Sequence, residues 1–320
     1  MKSCDLSLIS SKLIGLNYNE AVLCSGLNNT INFMKYGGAG LYILSGRGIY
    51  FIDEMLEKLQ VDYHFLEIEE LFGNEEIDIE RIMVILPNID FDKIQELNPK
   101  VVQFFHTFGT YCVESIDRNS LILRGDYDEG TVLKRINKAD FEKLQSMSVK
   151  PLNVSFKIIY IDDKQVQKSA IHHCIMENIK ALILSEEYED EDGGWYKGTE
   201  FYKKTKSILI DNWNDNFNKV AKFVLVQSIQ NGSSFFYRRE FGEALKQIYD
   251  IDEEDFNNAG NLWRKLSRYL KATVVEEKVA DSEVIEILLD QIEKVEKTLF
   301  QRLVEKISNK APEVEYVIQD

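Results

Sequence analysis

Cys24 is the residue of this sequence best placed for covalent chemistry. It lies in the Asn-rich stretch 17–29 and precedes a run in which Leu27, Ile31 and Met34 would share one helical face. We therefore predict that Cys24 lies in the first turn of a helix, where backbone N–H groups and the helix dipole stabilise a nucleophilic thiolate. The same spacing fits a small apolar residue at the top of a buried helix face. Helix position alone leaves both interpretations open.

A cysteine nucleophile needs a base, and the chain has four histidines. His106 follows the apolar run 101–105, so a strand could deliver it to the site. His64 lies in a short predicted strand, which favours a core or edge role. His172 and His173 are neighbours on a predicted helix and would point about 100° apart. Either could act only if two domains closed over the site, so we predict His106 as the base.

Two further polar residues complete the predicted catalytic set. Asp126 follows the predicted strand 120–123 and could orient the base, whereas its rival Asp117 fits better as a turn residue. Asn19, five residues before Cys24, could supply an amide to an oxyanion hole. The predicted set is Cys24, His106, Asp126 and Asn19.

Short apolar runs alternate with helical patterns through the first half of the chain, which predicts mixed α and β structure. The strand-like runs are 41–51, 63–68, 81–86, 101–105 and 154–161. Two more runs, 111–113 and 120–123, flank the turn-rich segment 117–119 and predict a hairpin, and 138–147 is predicted to form an amphipathic helix. The strand pattern ends at residue 163, where we place a domain boundary.

Residues 164–320 carry a helical pattern throughout. The predicted helices are 168–185, 198–213, 216–229, 238–249, 255–269 and 281–307. The last of them has apolar residues at alternating steps of three and four, which predicts a seam within a bundle or a dimer contact. These residues are Ile285, Leu288, Ile292, Val295 and Leu299. The acidic run 186–192 is predicted to be a mobile loop.

Composition excludes several function classes. The length of 320 residues suggests two domains, and a formal net charge of -16 at pH 7 argues against nucleic-acid binding. The four cysteines have no CxxC spacing, and no nucleotide-binding loop or HExxH motif occurs, so we expect no metal and no nucleotide cofactor. Because no apolar leader or 18-residue apolar run is found, we expect a cytoplasmic protein without a membrane partner.

The order of several motifs resembles the butirosin-biosynthesis acyltransferase family. The motifs are Cys24 with 27–33, then 44–51, Gly125-Asp126, 198–213 and 238–245. The N-terminal domain of this family is like the papain-like, bacteriocin-processing cysteine peptidases, and its C-terminal domain is helical. The resemblance implies an α+β fold, with a papain-like cysteine acyltransferase domain at 1–163 and an all-α domain at 164–320. The Ile-, Lys- and Asn-rich composition is also similar to amide synthases of thioamide-antibiotic (closthioamide-type) pathways.

What the resemblance implies is acyl transfer to an amine in natural-product (antibiotic) biosynthesis. An acyl group arrives as a thioester on an acyl or peptidyl carrier protein, moves to Cys24, and is captured by a small-molecule amine to form an amide. No cofactor is implied apart from phosphopantetheine as part of the carrier-bound substrate. The alternatives are a non-catalytic binding module with a degenerate papain-like cleft, and a cysteine peptidase or amide hydrolase in which water captures the acyl group.

One departure from the peptidase pattern concerns the base. In those peptidases the histidine falls at the position of Thr110, not of His106. We expect an insertion through 107–109 that leaves His106 as the base, since Gly109 offers a place for a bulge or turn. The alternative is that the histidine has been lost.

Basic residues of the predicted helical domain could face an acidic carrier protein. They form three clusters: Lys203, Lys204 and Lys206; Arg238 and Arg239; and Arg264, Lys265, Arg268 and Lys271. We predict that the phosphopantetheine of the carrier approaches over this domain and that the charges of Arg238 and Arg239 contribute to carrier binding. Ordinary solvated helix faces are the alternative. A homodimer would use the predicted helix 281–307.

Overall fold

The computed structural model describes most of the chain and has a mixed α+β architecture with a helical C-terminal region. The described residues are 4–27, 30–36, 39–45, 52–74, 76–87, 108–127, 130–145, 148–149, 154–191, 193–214, 217, 219–229 and 235–310. The α+β prediction and the helical character of the C-terminal region are confirmed. The run 101–105 and His106 lie outside the described residues.

Eleven α-helices and twelve strands are described. Helices are α1 (Cys4–Lys12), α2 (Tyr18–Ser25), α3 (Ile52–Lys58), α4 (Ile68–Gly73), α5 (Lys138–Gln145), α6 (Lys168–Ala181), α7 (Gly198–Ser207), α8 (Lys219–Gln227), α9 (Phe235–Tyr249), α10 (Glu254–Glu276) and α11 (Ser282–Lys310). Strands are β1 (Thr30–Tyr36), β2 (Ala39–Ser45), β3 (Tyr63–Phe65), β4 (Ile82–Pro87), β5 (Phe108–Ile116), β6 (Ser120–Tyr127), β7 (Gly130–Asn137), β8 (Ser148–Val149), β9 (Val154–Ser155), β10 (Lys157–Ile161), β11 (Glu186–Glu189) and β12 (Gly193–Lys197).

The larger described sheet is antiparallel and has the strand order β3-β10-β4-β5-β6-β7. Its β5–β6 hairpin turns at Asp117, whose carboxylate accepts the backbone N–H groups of Asn119 at 2.9 Å and Ser120 at 2.7 Å. A hydrogen bond from the Ser120 hydroxyl lowers the pKa of Asp117. The predicted hairpin and the turn role of Asp117 are confirmed, because an aspartate side chain replaces the missing backbone acceptor of such a turn.

A smaller antiparallel sheet, β11-β12-β1-β2, joins strands from both sides of the predicted domain boundary. β12 pairs with β1 from Thr30↔Lys197 to Met34↔Gly193. The predictions of a mobile loop at 186–192 and of an all-α region 164–320 are therefore wrong for the segment that forms β11 and β12. Backbone pairing with β12 and the stacking of Tyr188 on Trp195 hold the acidic β11 in place.

The largest hydrophobic cluster among the described residues also crosses the predicted boundary between 163 and 164. It contains Cys24, Cys112 and Ile159 together with Ile175 and Phe256. α2 packs against both α6 and α9 within it. A helix from the predicted N-terminal domain thus packs against two helices from the C-terminal part of the chain.

The predicted apolar stripe of α11 is a seam within the chain. Ile285, Leu288 and Ile292 pack with Trp263 and Leu270 of α10 in a second cluster. Leu299 continues the stripe into the largest cluster, where the half-buried Val295 packs against it. Of the two interpretations of this pattern, the bundle seam is therefore confirmed.

A buried ion pair ties the C-terminal helices together. Arg238 of α9 is 1% exposed and Glu296 of α11 is fully buried, and the two side chains are hydrogen-bonded. Glu296 also accepts the indole N–H of Trp263 at 2.8 Å and the hydroxyl of Tyr202. Because a guanidinium at this depth cannot reach a partner protein, the prediction that the charge of Arg238 contributes to carrier binding is wrong.

Candidate functional site

The helix that carries Cys24 begins earlier than predicted. Asn17 and Glu20 form a capping box, in which each side chain accepts the backbone N–H of the other residue, so α2 starts at Tyr18. It ends at Ser25 and is followed by Gly26, whose φ of 72° lies in the left-handed region that favours glycine. Cys24 therefore lies in the last turn of α2, and the predicted first-turn position is wrong. The segment predicted to form that helix is β1, paired with a strand on each side.

α6 supplies the polar contacts around Cys24. The Cys24 thiol donates a hydrogen bond to the carbonyl of Ile171 at 3.7 Å, and the Cys174 thiol donates to the carbonyl of Cys24 at 3.4 Å. The side-chain amide of Asn178 also donates to the carbonyl of Cys24. Lys58 of α3 donates in turn to the Asn178 side-chain oxygen at 3.0 Å. We call Cys24, Cys174, Asn178 and Lys58 the thiol cluster.

The thiol cluster has a clear structural role. The last carbonyl groups of a helix lack intrahelical donors and must be satisfied from elsewhere when they are buried. Asn178 and Cys174 satisfy the Cys24 carbonyl from a second helix, and the Asn178 amide also reaches the carbonyl of Leu23 at 3.3 Å. The cluster thereby joins α2 to α6.

The two cysteines of the cluster differ in their electrostatics. Interaction with Cys174 and burial raise the pKa of Cys24 well above its ordinary value, and the charge of Glu20 acts in the same direction. The helix C-terminus adds to this effect, since its carbonyl groups present partial negative charge. Cys174 has a lowered pKa because of its interaction with Cys24, the positive charge of Lys58 and a hydrogen bond from Asn178, against the effect of burial. Cys24 is therefore held as a neutral thiol in this arrangement.

Three of the four histidines lie in the described part of the chain. His64 is exposed on β3 and contacts Asp162 at 2.7 Å, consistent with the edge role predicted for it. His173 is exposed beside Glu177 at 3.4 Å. His172 lies 3.5 Å from the hydroxyl of Tyr249, whose pKa is raised by burial and by the nearby Cys24 and Glu20.

The other predicted site residues lie on α2 and on the hairpin. Asn19 is in the first turn of α2, about 140° around the helix and about 7.5 Å along its axis from Cys24. Thr110 is buried in β5, paired with Ile85, and its hydroxyl has no hydrogen-bond partner within the described ranges. Asp126 pairs with Thr131 of β7, and the register Cys112↔Arg124 brings Thr110 and Asp126 to the same end of the hairpin.

Cys174, Asn178 and Lys58 were not singled out by the sequence. One signal was present: Cys174 and Asn178 are four residues apart on a predicted helix and so share a face. Nothing in the spacing connects that face to Cys24, which lies 150 residues earlier in the chain.

No protein-family model matches this chain, and no similar sequence is found among curated proteins. Within the described ranges, no three His, Cys, Asp or Glu side chains converge as metal ligands would. The helices found in those ranges are all too short or too polar to cross a membrane.

Proposed function

We propose that this chain is a cysteine-dependent acyltransferase that moves an acyl group from a carrier-protein thioester through Cys24 to an amine, forming an amide. The proposal is supported by the ordered motifs that resemble the butirosin-biosynthesis family and by one structural observation. Cys24 is held at both its thiol and its peptide carbonyl by polar groups of a second helix, inside an otherwise apolar cluster. These contacts fix the position of Cys24, as the proposed role of nucleophile requires.

The proposed reaction balances without a cofactor other than the carrier's own prosthetic group. The base takes the proton of the Cys24 thiol as the sulfur attacks the thioester carbonyl carbon, the bond to the pantetheine sulfur breaks, and pantetheine accepts that proton and leaves as a thiol. An amine nitrogen then attacks the acyl-cysteine, the thiol of Cys24 is released, and the amine proton passes to the base. We assign that role to His106, with Asp126 as the orienting carboxylate and Asn19 as a donor to the oxyanion. The fold of 1–163 would then be papain-like, with α2 and the β5–β6 hairpin carrying the site.

Chemistry at Cys24 requires a change in its surroundings. A fully buried thiol with a raised pKa is protonated and shielded from substrate. Acylation therefore requires α6 to release Cys24, so that the contacts from Ile171, Cys174 and Asn178 are broken before the thioester enters.

The burial of Cys24 favours a second candidate function, a non-catalytic module that binds a carrier protein or natural product. In that case Cys24 acts only as a core residue that anchors α2 on α6, as its contacts allow. The two functions differ in whether an acyl group becomes bonded to the Cys24 sulfur, and the mass of the intact protein distinguishes them.

The deciding experiment compares the wild-type protein, Cys24→Ala and the matched control Cys112→Ala, in which a buried cysteine of the same hydrophobic cluster is removed. Each is mixed with an acyl thioester on a carrier protein and examined by intact mass, then supplied with an amine. We expect an acyl adduct and amide product from the wild type and the control, and neither from Cys24→Ala.

Turnover by Cys24→Ala at the wild-type rate would end the acyltransferase proposal. Carrier binding without an adduct on the wild type would establish the binding module instead. A free acid in place of the amide, with amine present, would identify a hydrolase.

A further inference from the structure

The three basic clusters of the C-terminal helices differ in whether their charges are neutralised. Each lysine of the first cluster has a carboxylate within 4 Å: Lys203 has Glu200, Lys204 has Glu189, and Lys206 has Asp290 and Glu293. In the second cluster Arg238 pairs with Glu296 and Arg239 with Glu243. Every charge named in these two clusters thus has a carboxylate partner within the chain.

The third cluster lies on the exposed side of α10 and consists of Arg264, Lys265, Arg268 and Lys271, which we call the α10 basic face. Lys265, Arg268 and Lys271 have no carboxylate within 4 Å in the part of the chain that the structure describes. At about 100° and 1.5 Å per residue, the four side chains cover an arc of about 120° and about 10 Å of helix. They form one continuous surface.

This surface is unusual for so acidic a chain. Residues 256–275 contain these four basic residues and no aspartate or glutamate, although the chain has 54 acidic residues against 38 basic ones. Trp263, Leu266 and Leu270 are fully buried on the opposite side of α10, so the helix is firmly seated. The basic face is therefore presented on a firmly packed helix, and three of its residues, Lys265, Arg268 and Lys271, have no carboxylate beside them within the described ranges.

We propose that the α10 basic face docks an acidic surface of the carrier protein that delivers the acyl group. The identity of the partner as a carrier rests on the proposed function, whereas its acidic character follows from the exposed charges. The basic face covers only about 10 Å of helix, so it matches a local acidic surface, whereas the net charge of -16 repels a polyanion that extends beyond this face.

The test measures binding of a purified, acidic acyl carrier protein in its apo form, which lacks phosphopantetheine and cannot be a substrate. Arg268→Glu/Lys271→Glu is compared with Lys180→Glu/Lys306→Glu, a control that changes the net charge equally at exposed positions on α6 and α11. We expect the first pair to weaken binding at least about tenfold at low salt and the control about twofold or less. The difference should shrink as added salt screens the charges.

The docking site would be overturned if both pairs of substitutions weakened carrier binding equally, or if the first pair had no effect on it. It would also be overturned if the wild-type protein did not bind the carrier. A single-stranded oligonucleotide serves as the competing probe. If its binding, and not that of the carrier, depends on Arg268 and Lys271, the face recognises nucleic acid and the proposal is wrong. Because apo carrier undergoes no chemistry, these results are independent of whether Cys24→Ala abolishes turnover.

Discussion

Asn178 links the stability of the α2–α6 contact to the reactivity of Cys24. Its side-chain amide donates to the Cys24 carbonyl at the buried end of α2, and truncation in Asn178→Ala leaves that carbonyl with only the weak S–H donor of Cys174. A buried polar group that loses its partner costs about 1–3 kcal/mol. The Leu23 carbonyl still accepts the backbone N–H of Gly26 at 3.1 Å, so its loss of the Asn178 amide adds little to the cost of the substitution.

The expected net loss of stability follows from these contacts. Alanine is favoured over asparagine within a helix by roughly 0.5 kcal/mol, which offsets part of the cost. We therefore expect Asn178→Ala to lower the free energy of unfolding by about 0.5–2.5 kcal/mol. If the same contact holds Cys24 closed, the release of α2 becomes easier by the same free energy, and alkylation of Cys24 accelerates about 2–70-fold.

Guanidinium unfolding and the rate of iodoacetamide labelling at Cys24, followed by peptide mass, measure the two effects. Asn258→Ala, at an exposed position of α10, is the matched control and should change neither quantity appreciably. A stability loss below about 0.5 kcal/mol, a shift within the scatter of ordinary surface substitutions, would refute the assigned role of the amide. Unchanged labelling despite a clear stability loss would show that Asn178 does not control access to Cys24.

Two further predictions concern buried charge. Arg238→Met should lower the free energy of unfolding, measured in urea, by about 3–5 kcal/mol, because it leaves Glu296 buried without its cation. Adding Glu296→Gln to this variant should recover part of the lost stability, and equal losses in the single and double variants would contradict the buried pair. Above about pH 8.5, Cys24 ionises in the unfolded chain but stays protonated when folded, so unfolding should become easier by about 1.4 kcal/mol per pH unit. Cys24→Ala should remove this slope in urea titrations from pH 8 upward, and an unchanged slope would assign it to other groups.

Local pattern predicted the helices of residues 168–310 well, because an amphipathic helix repeats its apolar positions within a few residues. The stripe of α11 and the β5–β6 hairpin with its Asp117 turn are examples. β1 was missed because its apolar residues also fit a helical face and one of its two partners, β12, lies more than 150 residues away in sequence. β11 pairs with the adjacent β12 and was missed because an acidic run is typical of a solvated loop. The early start of α2 could have been predicted, since Asn17 and Glu20 have the spacing of a capping box.

The sequence by itself identified Cys24 as the residue to examine, and its motifs suggested the chemistry to test there. The surroundings of Cys24 were decided by tertiary structure. Cys24 lies in the last turn of α2 and not in the first turn of a helix, and Cys174 and Asn178 of α6 contact it. The same holds for the basic clusters, which look alike in sequence but differ in whether carboxylates from other elements lie beside them. Burial and charge pairing depend on which elements pack together, and neither can be read from one segment alone.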